Sequence, residues 1–228
     1  MSKSLQANVY IDGFNLYYCA VKGTSFRWLD LGKLCKNLFP RKNIHKINYF
    51  SARVKASSHD PKAPTRQEIY WRALKTIPNL EIIEGSFVRW PRLMPQFPLA
   101  YINNDYSNPP NKVQVERTEE KGSDVNLAAM LIYDSSVRDA DEAIIVSNDS
   151  DLTLAIEIVT NKLNQAVVVV NPNRTSKARK YKSCKMSADL RRVATRHIYS
   201  INDKVLANSL FPSTFYDSIG KLSKPQTW

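Results

Sequence analysis

Short runs of aliphatic and β-branched residues alternate with stretches of helical periodicity along most of this chain. The pattern predicts a first strand ending near Asp12 and broken by Gly13. Helical stretches follow over 15–21 and 29–38, the second stopped by Pro40. A strand is predicted over 44–54, then a Ser/Lys/Pro-rich loop over 55–64, then a helix over 65–77 with Thr65 and Glu68 spaced as a capping box. Residues 80–90 read as a strand. Pro91, Pro95, Pro98, Pro109 and Pro110 mark a long irregular insertion, expected to form a loop facing substrate or a second subunit, and 112–117 a short strand. The most regular part comes next: a helix over 123–137, a buried strand over 143–147, a helix over 149–163 and a buried strand over 166–170. Continuous apolar strands separated by helices argue for an α/β fold, doubly wound, with a mainly parallel sheet and helices on both faces. A short helix is expected over 187–194, and no internal repeat is present.

Composition narrows the class. Of the 228 residues 43% are hydrophobic, enough for a real core, and the mean hydropathy is -0.39. The longest apolar runs, such as 166–170, fall far short of the ~20 residues a membrane helix needs, so no membrane is expected. No long apolar leader precedes the first strand, which argues against secretion by that route. Cys19, Cys35 and Cys184 are widely spaced, and only His45, His59 and His197 accompany them, so no zinc ligand set can be drawn. Free thiols in a reducing cytoplasm are the plain expectation. Glycine-rich phosphate-binding loops are absent, which makes dinucleotide-binding Rossmann enzymes and P-loop NTPases poor candidates, and there is no G-x-S-x-G elbow either. Charge is the strongest compositional signal. The 33 Lys and Arg against 21 Asp and Glu give a formal net charge of +12, as a polyanionic partner such as nucleic acid would favour.

The candidate chemistry lies in acids at strand ends. Asp12 follows the first strand, Asp149 and Asp151 follow the strand over 143–147, and Asp124 opens the helix that precedes it. In open α/β sheets ligands gather at the carboxyl ends of the strands. Asp124 is followed at helical spacing by Leu127, Ala128, Leu131 and Ile132, and Asp151 by Leu154, Ala155, Ile158 and Val159, so both acids are expected at the head of a sheet-facing stripe. Two carboxylates ~4 Å apart repel by about 4 kcal/mol at an effective dielectric of 20. A divalent cation relieves that repulsion, and oxygen-only ligands favour Mg²⁺ or Mn²⁺. The competing assignment for each acid is a helix cap or, for Asp12, a turn residue before glycine. Asn15 is placed to orient a water or a ligand carboxylate, or to cap the following helix. Glu116, Glu119 and Glu120 stand as secondary ligand candidates.

Three segments carry a family resemblance: residues 12–17 (DGFNLY), 121–125 (KGSDV) and 147–152 (SNDSDL). In this order they resemble the NYN domain proteins of the PIN-like nuclease superfamily, with the bacterial LabA-like branch the nearer match. The closing SKPQTW is similar to the end of many such chains. The third motif often reads SGDSDF in the family, and Asn148 and Leu152 depart from it while leaving both acids intact. The resemblance implies a PIN-like, Rossmann-like domain with an acidic pocket for Mg²⁺ or Mn²⁺ and metal-dependent cleavage of RNA. It implies Asp12, Asp124, Asp149 and Asp151 as metal ligands and catalytic acids, and Asn15 as the accompanying catalytic amide.

Basic residues complete the reading. Arg174, Lys177, Arg179, Lys180, Lys182 and Lys185 cluster within twelve positions, and Lys121 precedes the second acid; all seven are candidates for holding a nucleic-acid backbone. Aromatic residues interleaved with cations around 53–92 would suit single-stranded RNA, whose bases can stack, although Trp71 and Phe87 read better as core. The expected organisation is a PIN-like NYN domain over 1–172, with insertions near 55–64 and 91–111, and a basic extension over 173–228 packed on the same domain, with a homodimer possible. Two other classes compete with the endoribonuclease: a non-catalytic RNA-binding or adaptor protein, and a phosphatase-type enzyme. The latter resembles D-x-D sites, but two residues after Asp12 stands Phe14 rather than an acid.

Overall fold

The computed structural model describes residues 5–107, 109–175 and 185–228. A seven-stranded sheet runs in the order β4-β3-β2-β1-β5-β6-β7. Its strands are β1 (Gln6–Asp12), β2 (Asn43–Ala52), β3 (Leu80–Pro95), β4 (Lys112–Lys121), β5 (Glu142–Val146), β6 (Ala166–Val170) and β7 (Arg196–Ile198). Every neighbouring pair is parallel except β3 with β4. From β1 the chain winds outward through β2 and β3, then returns to build β5, β6 and β7 on the other side. The order therefore reverses between β1 and β5, and a crevice opens at their carboxyl ends.

Strand alternation sorts side chains to two faces. Val9, Ile11, Ile144 and Val146 pack in one cluster with the helices α2 (Leu31–Leu38) and α3 (Ala63–Leu74). Tyr10, Ile145 and Val169 pack in the other, with Leu127 and Leu131 of α4 (Ser123–Ser136) and Ala155 and Ile156 of α5 (Thr153–Glu157). The end of the chain returns to the first face, where Trp28 sits against Tyr70, Phe211, Phe215 and Trp228 and its indole N–H donates to Pro212 O at 2.8 Å. Arg72 of α3 grips Asp217 through two nitrogens, fixing the β8 (Thr214–Asp217) and β9 (Gly220–Ser223) hairpin. No helix among the described residues is long and apolar enough to cross a membrane.

Several boundaries differ from the sequence pattern. The prolines do not end β3: it pairs with β2 only as far as Gly85, then continues to Pro95 against β4 alone. Beyond Gly85 one edge of β3 carries no strand, so Pro91 and Pro95 cost no ladder bond there. The capping box at Thr65 does not form, because α3 begins at Ala63 with proline in its first turn, and Glu68 binds Arg53 instead. The expected helix over 15–21 is a short α1 (Gly13–Leu16) that widens into a π turn over Tyr17–Val21. The thiol expectation holds for buried Cys35, whose pKa burial pushes up to about 12. It does not hold for Cys19, which is disulfide-bonded.

Candidate metal centre

Asp12 ends β1 with the same parity as Asn8 and Tyr10, so it leaves the sheet on the face covered by α4. Its side chain caps α1 by accepting from the Asn15 N–H at 2.9 Å. The other carboxylate oxygen accepts from the Ser147 hydroxyl at 2.8 Å, beyond the end of β5. Gly13 makes this turn possible: a β-carbon there would stand 2.7 Å from both Phe50 O and the Tyr49 ring. Ser147 in turn accepts from the Asp149 N–H at 3.1 Å, and Asp149 Oδ1 accepts from the Asp151 N–H at 3.0 Å. The amide oxygen of Asn15 accepts from the Asn148 N–H at 3.1 Å. The first and third motifs are thus laced together across the β1/β5 crevice.

The second motif arrives from the far edge. β4 ends at Lys121, and Gly122 turns the chain into α4 in a left-handed conformation. Glu120 accepts from both the N–H and the hydroxyl of Ser123, at 3.1 and 2.8 Å, which holds the first turn of α4. Close passage of β3 under this turn requires Gly85, where a β-carbon would lie 2.6 Å from Glu120 Oε1 and 2.9 Å from Lys121 O. Asp124 is thereby delivered to the crevice.

Carboxylate oxygens of Asp12, Asp124 and Asp149 lie within 4.8 Å of one another. Asp12 is buried and the other two half-buried. Among the described residues no ion pair reaches any of the three. Burial raises the Asp12 carboxyl above the ordinary carboxylate range, opposed by the bonds from Asn15 and Ser147. Asp124 is pushed up to about 6, first by burial and then by the negative charges of Asp12, Asp149, Glu120 and Asp151. Three mutually repelling acids with no ion pair among the described residues suit a hard divalent cation.

Asp151 lies outside this trio and is exposed. Asp151 does not head the sheet-facing stripe, because the helix opens with a 3₁₀ turn at Ser150–Leu152, so the buried stripe runs Leu152, Ala155, Ile156, Val159 and leaves Leu154 exposed. Glu116 and Glu119 pair with Arg89 and Arg117, and Glu120 braces Ser123. Of the basic candidates, Lys121 is exposed beside the Trp90 ring at 5.7 Å. The Arg174 guanidinium lies over Phe26 and is gripped by Asp203. Lys185 is exposed, and its carbonyl accepts from Asn148. Lys177, Arg179, Lys180 and Lys182 lie outside the described residues. Ser147, which braces Asp12, was signalled only by its place in the third motif; serine two residues before the acid reads equally as a turn.

A doubly wound sheet with acids from three separate segments at its switch point is the architecture of PIN-like nuclease domains. The profile of the NYN domain matches residues 6–202, and the chain belongs to that family. Among curated proteins it is similar to 6-hydroxy-3-succinoylpyridine 3-monooxygenase HspA of Pseudomonas putida (strain DSM 28022 / S16), with 29% identity over 196 residues. That match takes in 75% of this chain and 61% of the relative's length. Among solved structures it is similar to a protein of unknown function from Vibrio parahaemolyticus RIMD 2210633, with a TM-score of 0.53 and 18% identity over 92% of this chain and 99% of that one. The second likeness speaks for the fold alone.

Proposed function

We propose that this protein is a metal-dependent endoribonuclease that hydrolyses phosphodiester bonds of single-stranded RNA. The observation that carries the reading is the convergence of Asp12, Asp124 and Asp149, each from a different family motif, within 4.8 Å at the switch point of the sheet. The net charge of +12 supports a polyanionic substrate.

Asp12, Asp124 and Asp149 would hold Mg²⁺ or Mn²⁺, which when bound supplies an acidified water and charge neutralisation at the scissile phosphate. The chain's own residues prepare that site. Ser147 and the Asn15 N–H fix the two oxygens of Asp12 in different directions. The Asn15 side chain, anchored on the Asn148 N–H, keeps the first motif in register with the third. Asp151 is exposed and outside the trio, yet near enough for its charge to help hold the Asp124 carboxyl up. In-line attack by water leaves a 5′-phosphate and a 3′-hydroxyl. Exposed Lys121, which opens the second motif, and exposed Lys185, whose carbonyl accepts from Asn148 of the third, would supply cations for a strand's phosphates.

HspA's name describes what that protein does; at 29% identity over part of its length it leaves the reaction of this chain to its own residues. The all-oxygen acidic trio matches phosphoryl chemistry with Mg²⁺ or Mn²⁺. Incubation of end-labelled single-stranded RNA with wild type and Asp149→Asn in Mn²⁺, Mg²⁺ or EDTA decides the matter. Cleavage is expected with metal and wild type only. Salt-sensitive RNA binding without any cleavage would establish the adaptor reading instead.

A further inference from the structure

A second feature adjoins the acids on the opposite face of the sheet. A cavity of about 470 Å³ begins at Gly13 and Phe14, the two residues after Asp12, and runs between α1 with its π turn, the end of β2 and the start of α3. That volume lies in the range of small-molecule sites. Its wall is unusually aromatic, with Tyr17, Tyr18, Tyr49, Tyr70, Trp71 and Trp228 all lining it. Tyr49, Tyr70 and Trp71 are buried and belong to the core, but Tyr17 and Tyr18 keep much of their rings exposed at the opening. These two rings meet edge to face at 5.3 Å.

Cations gather at the same opening. Lys22, Arg27 and Arg66 line the cavity against one acid, Asp60, and Arg66 already holds Asp60. Among the described residues neither Lys22 nor Arg27 forms an ion pair with a carboxylate; Lys22 rests 4.5 Å above the Tyr18 ring, and Arg27 donates to the Thr227 carbonyl at 3.3 Å while feeling Asp60 at longer range. A pocket lined by flat rings, with Lys22 and Arg27 outside any ion pair among the described residues, suits a planar ring bearing an anionic group.

We propose that this cavity is a nucleotide-binding subsite, seating a base against Tyr17, Tyr18 and Trp228 with its phosphate toward Lys22 and Arg27. The inference deepens the nuclease reading and rests on it only for the source of the nucleotide. A base of the substrate strand would enter here when the strand crosses Asp12 and Gly13; a free nucleotide would present the same chemistry. Aromatic stacking with cation support is the general device for holding unpaired bases.

The test is calorimetric titration of the full chain in EDTA with each of the four 5′-ribonucleoside monophosphates and with inorganic phosphate. Wild type and Asp149→Asn are expected to bind at least one nucleotide alike, and more tightly than phosphate. Tyr18→Phe retains binding, Tyr18→Ala weakens it about tenfold, and Ser57→Trp, an exposed position at the rim, blocks it. Because no metal or turnover is involved, the result stands whether or not RNA is cleaved. Competition of the bound mononucleotide with RNA cleavage identifies a base of the strand as the occupant, and binding without competition identifies a free nucleotide; both uphold the subsite. Absence of binding by all four, affinity no better than phosphate, or binding indifferent to both Tyr18→Ala and Ser57→Trp overturns it.

Discussion

Ser147 donates its hydroxyl to Asp12 Oδ2 at 2.8 Å, joining the residue that follows β5 to the residue that ends β1. Both are buried, and the bond spans the crevice at which the strand order reverses. One hydroxyl therefore couples the two halves of the sheet at the point where the acids must be held. It also accepts from the Asp149 N–H, so a second acid depends on the same side chain.

Ser147→Ala leaves the buried Asp12 carboxylate with one bond fewer and frees the Asp149 backbone. An unsatisfied buried partner costs about 1–3 kcal/mol, and loss of a group bracing a metal ligand weakens metal binding roughly 10–100-fold. Thermal unfolding and Mn²⁺ titration should show both losses together. Unchanged Mn²⁺ affinity in a folded Ser147→Ala protein would remove the bracing role.

Asp149 and Asp151 are two residues apart yet differ in setting, and their amides should differ in consequence. Asp149→Asn removes a member of the trio and is expected to lower cleavage by about 100-fold or more, while Asp151→Asn, exposed and outside the trio, lowers it about tenfold or less. Initial rates at saturating Mn²⁺ compare them directly. Equal losses would return Asp151 to the ligand set.

What the sequence made legible was the part governed by strong patterns. Apolar runs such as 143–147 and 166–170 marked the central strands, and acids at their ends marked the crevice. What stayed hidden depended on neighbours. Pro91 and Pro95 read as breakers because nothing local says that β3 has a free edge beyond Gly85. Thr65 and Glu68 had the spacing of a cap, yet Pro64 favours the first turn and drew the helix start earlier. Asp151 had helical phase with Leu154 only if the first turn was α; a 3₁₀ turn rotates it outward. The aromatic cavity assembles from residues as distant as Gly13, Trp71 and Trp228, and no window of sequence contains it.

The Asp124 carboxyl, pushed up to about 6, makes metal-free stability depend on pH. An acid that is harder to ionise when folded makes the native state bind more protons than the unfolded chain between its ordinary value near 3.8 and about 6. Metal-free stability from this group is therefore greatest at low pH and declines as pH rises through that window. Mg²⁺ binding requires the ionised trio, so its affinity should fall about tenfold per unit below pH 6. In EDTA at pH 8, Asp124→Asn should melt higher than wild type, and added Mg²⁺ should raise the wild-type Tm while leaving the variant unmoved. A Tm that ignores both the substitution and Mg²⁺ would show that Asp124 carries no such burden.

Gly13 supports a last expectation, because it lies between the two sites. A β-carbon at this position would meet Phe50 O and the Tyr49 ring at 2.7 Å, both closer than real contacts allow, and Phe50 O belongs to a central strand that cannot yield. Gly13→Ala must therefore push the α1 turn outward, carrying Asp12 on one side and the cavity wall on the other. Overpacking of this kind costs about 1–3 kcal/mol, or a Tm lower by several degrees in a chain of this size. The displacement of Asp12 should reduce Mn²⁺ affinity as well, and by more than Ser147→Ala does, since the backbone rather than one hydroxyl moves. Differential scanning calorimetry and metal titration on the same preparation separate the two effects. A Gly13→Ala protein with wild-type Tm and wild-type Mn²⁺ affinity would mean that the β1-to-α1 turn has room to give, and that neither site depends on its close approach to β2.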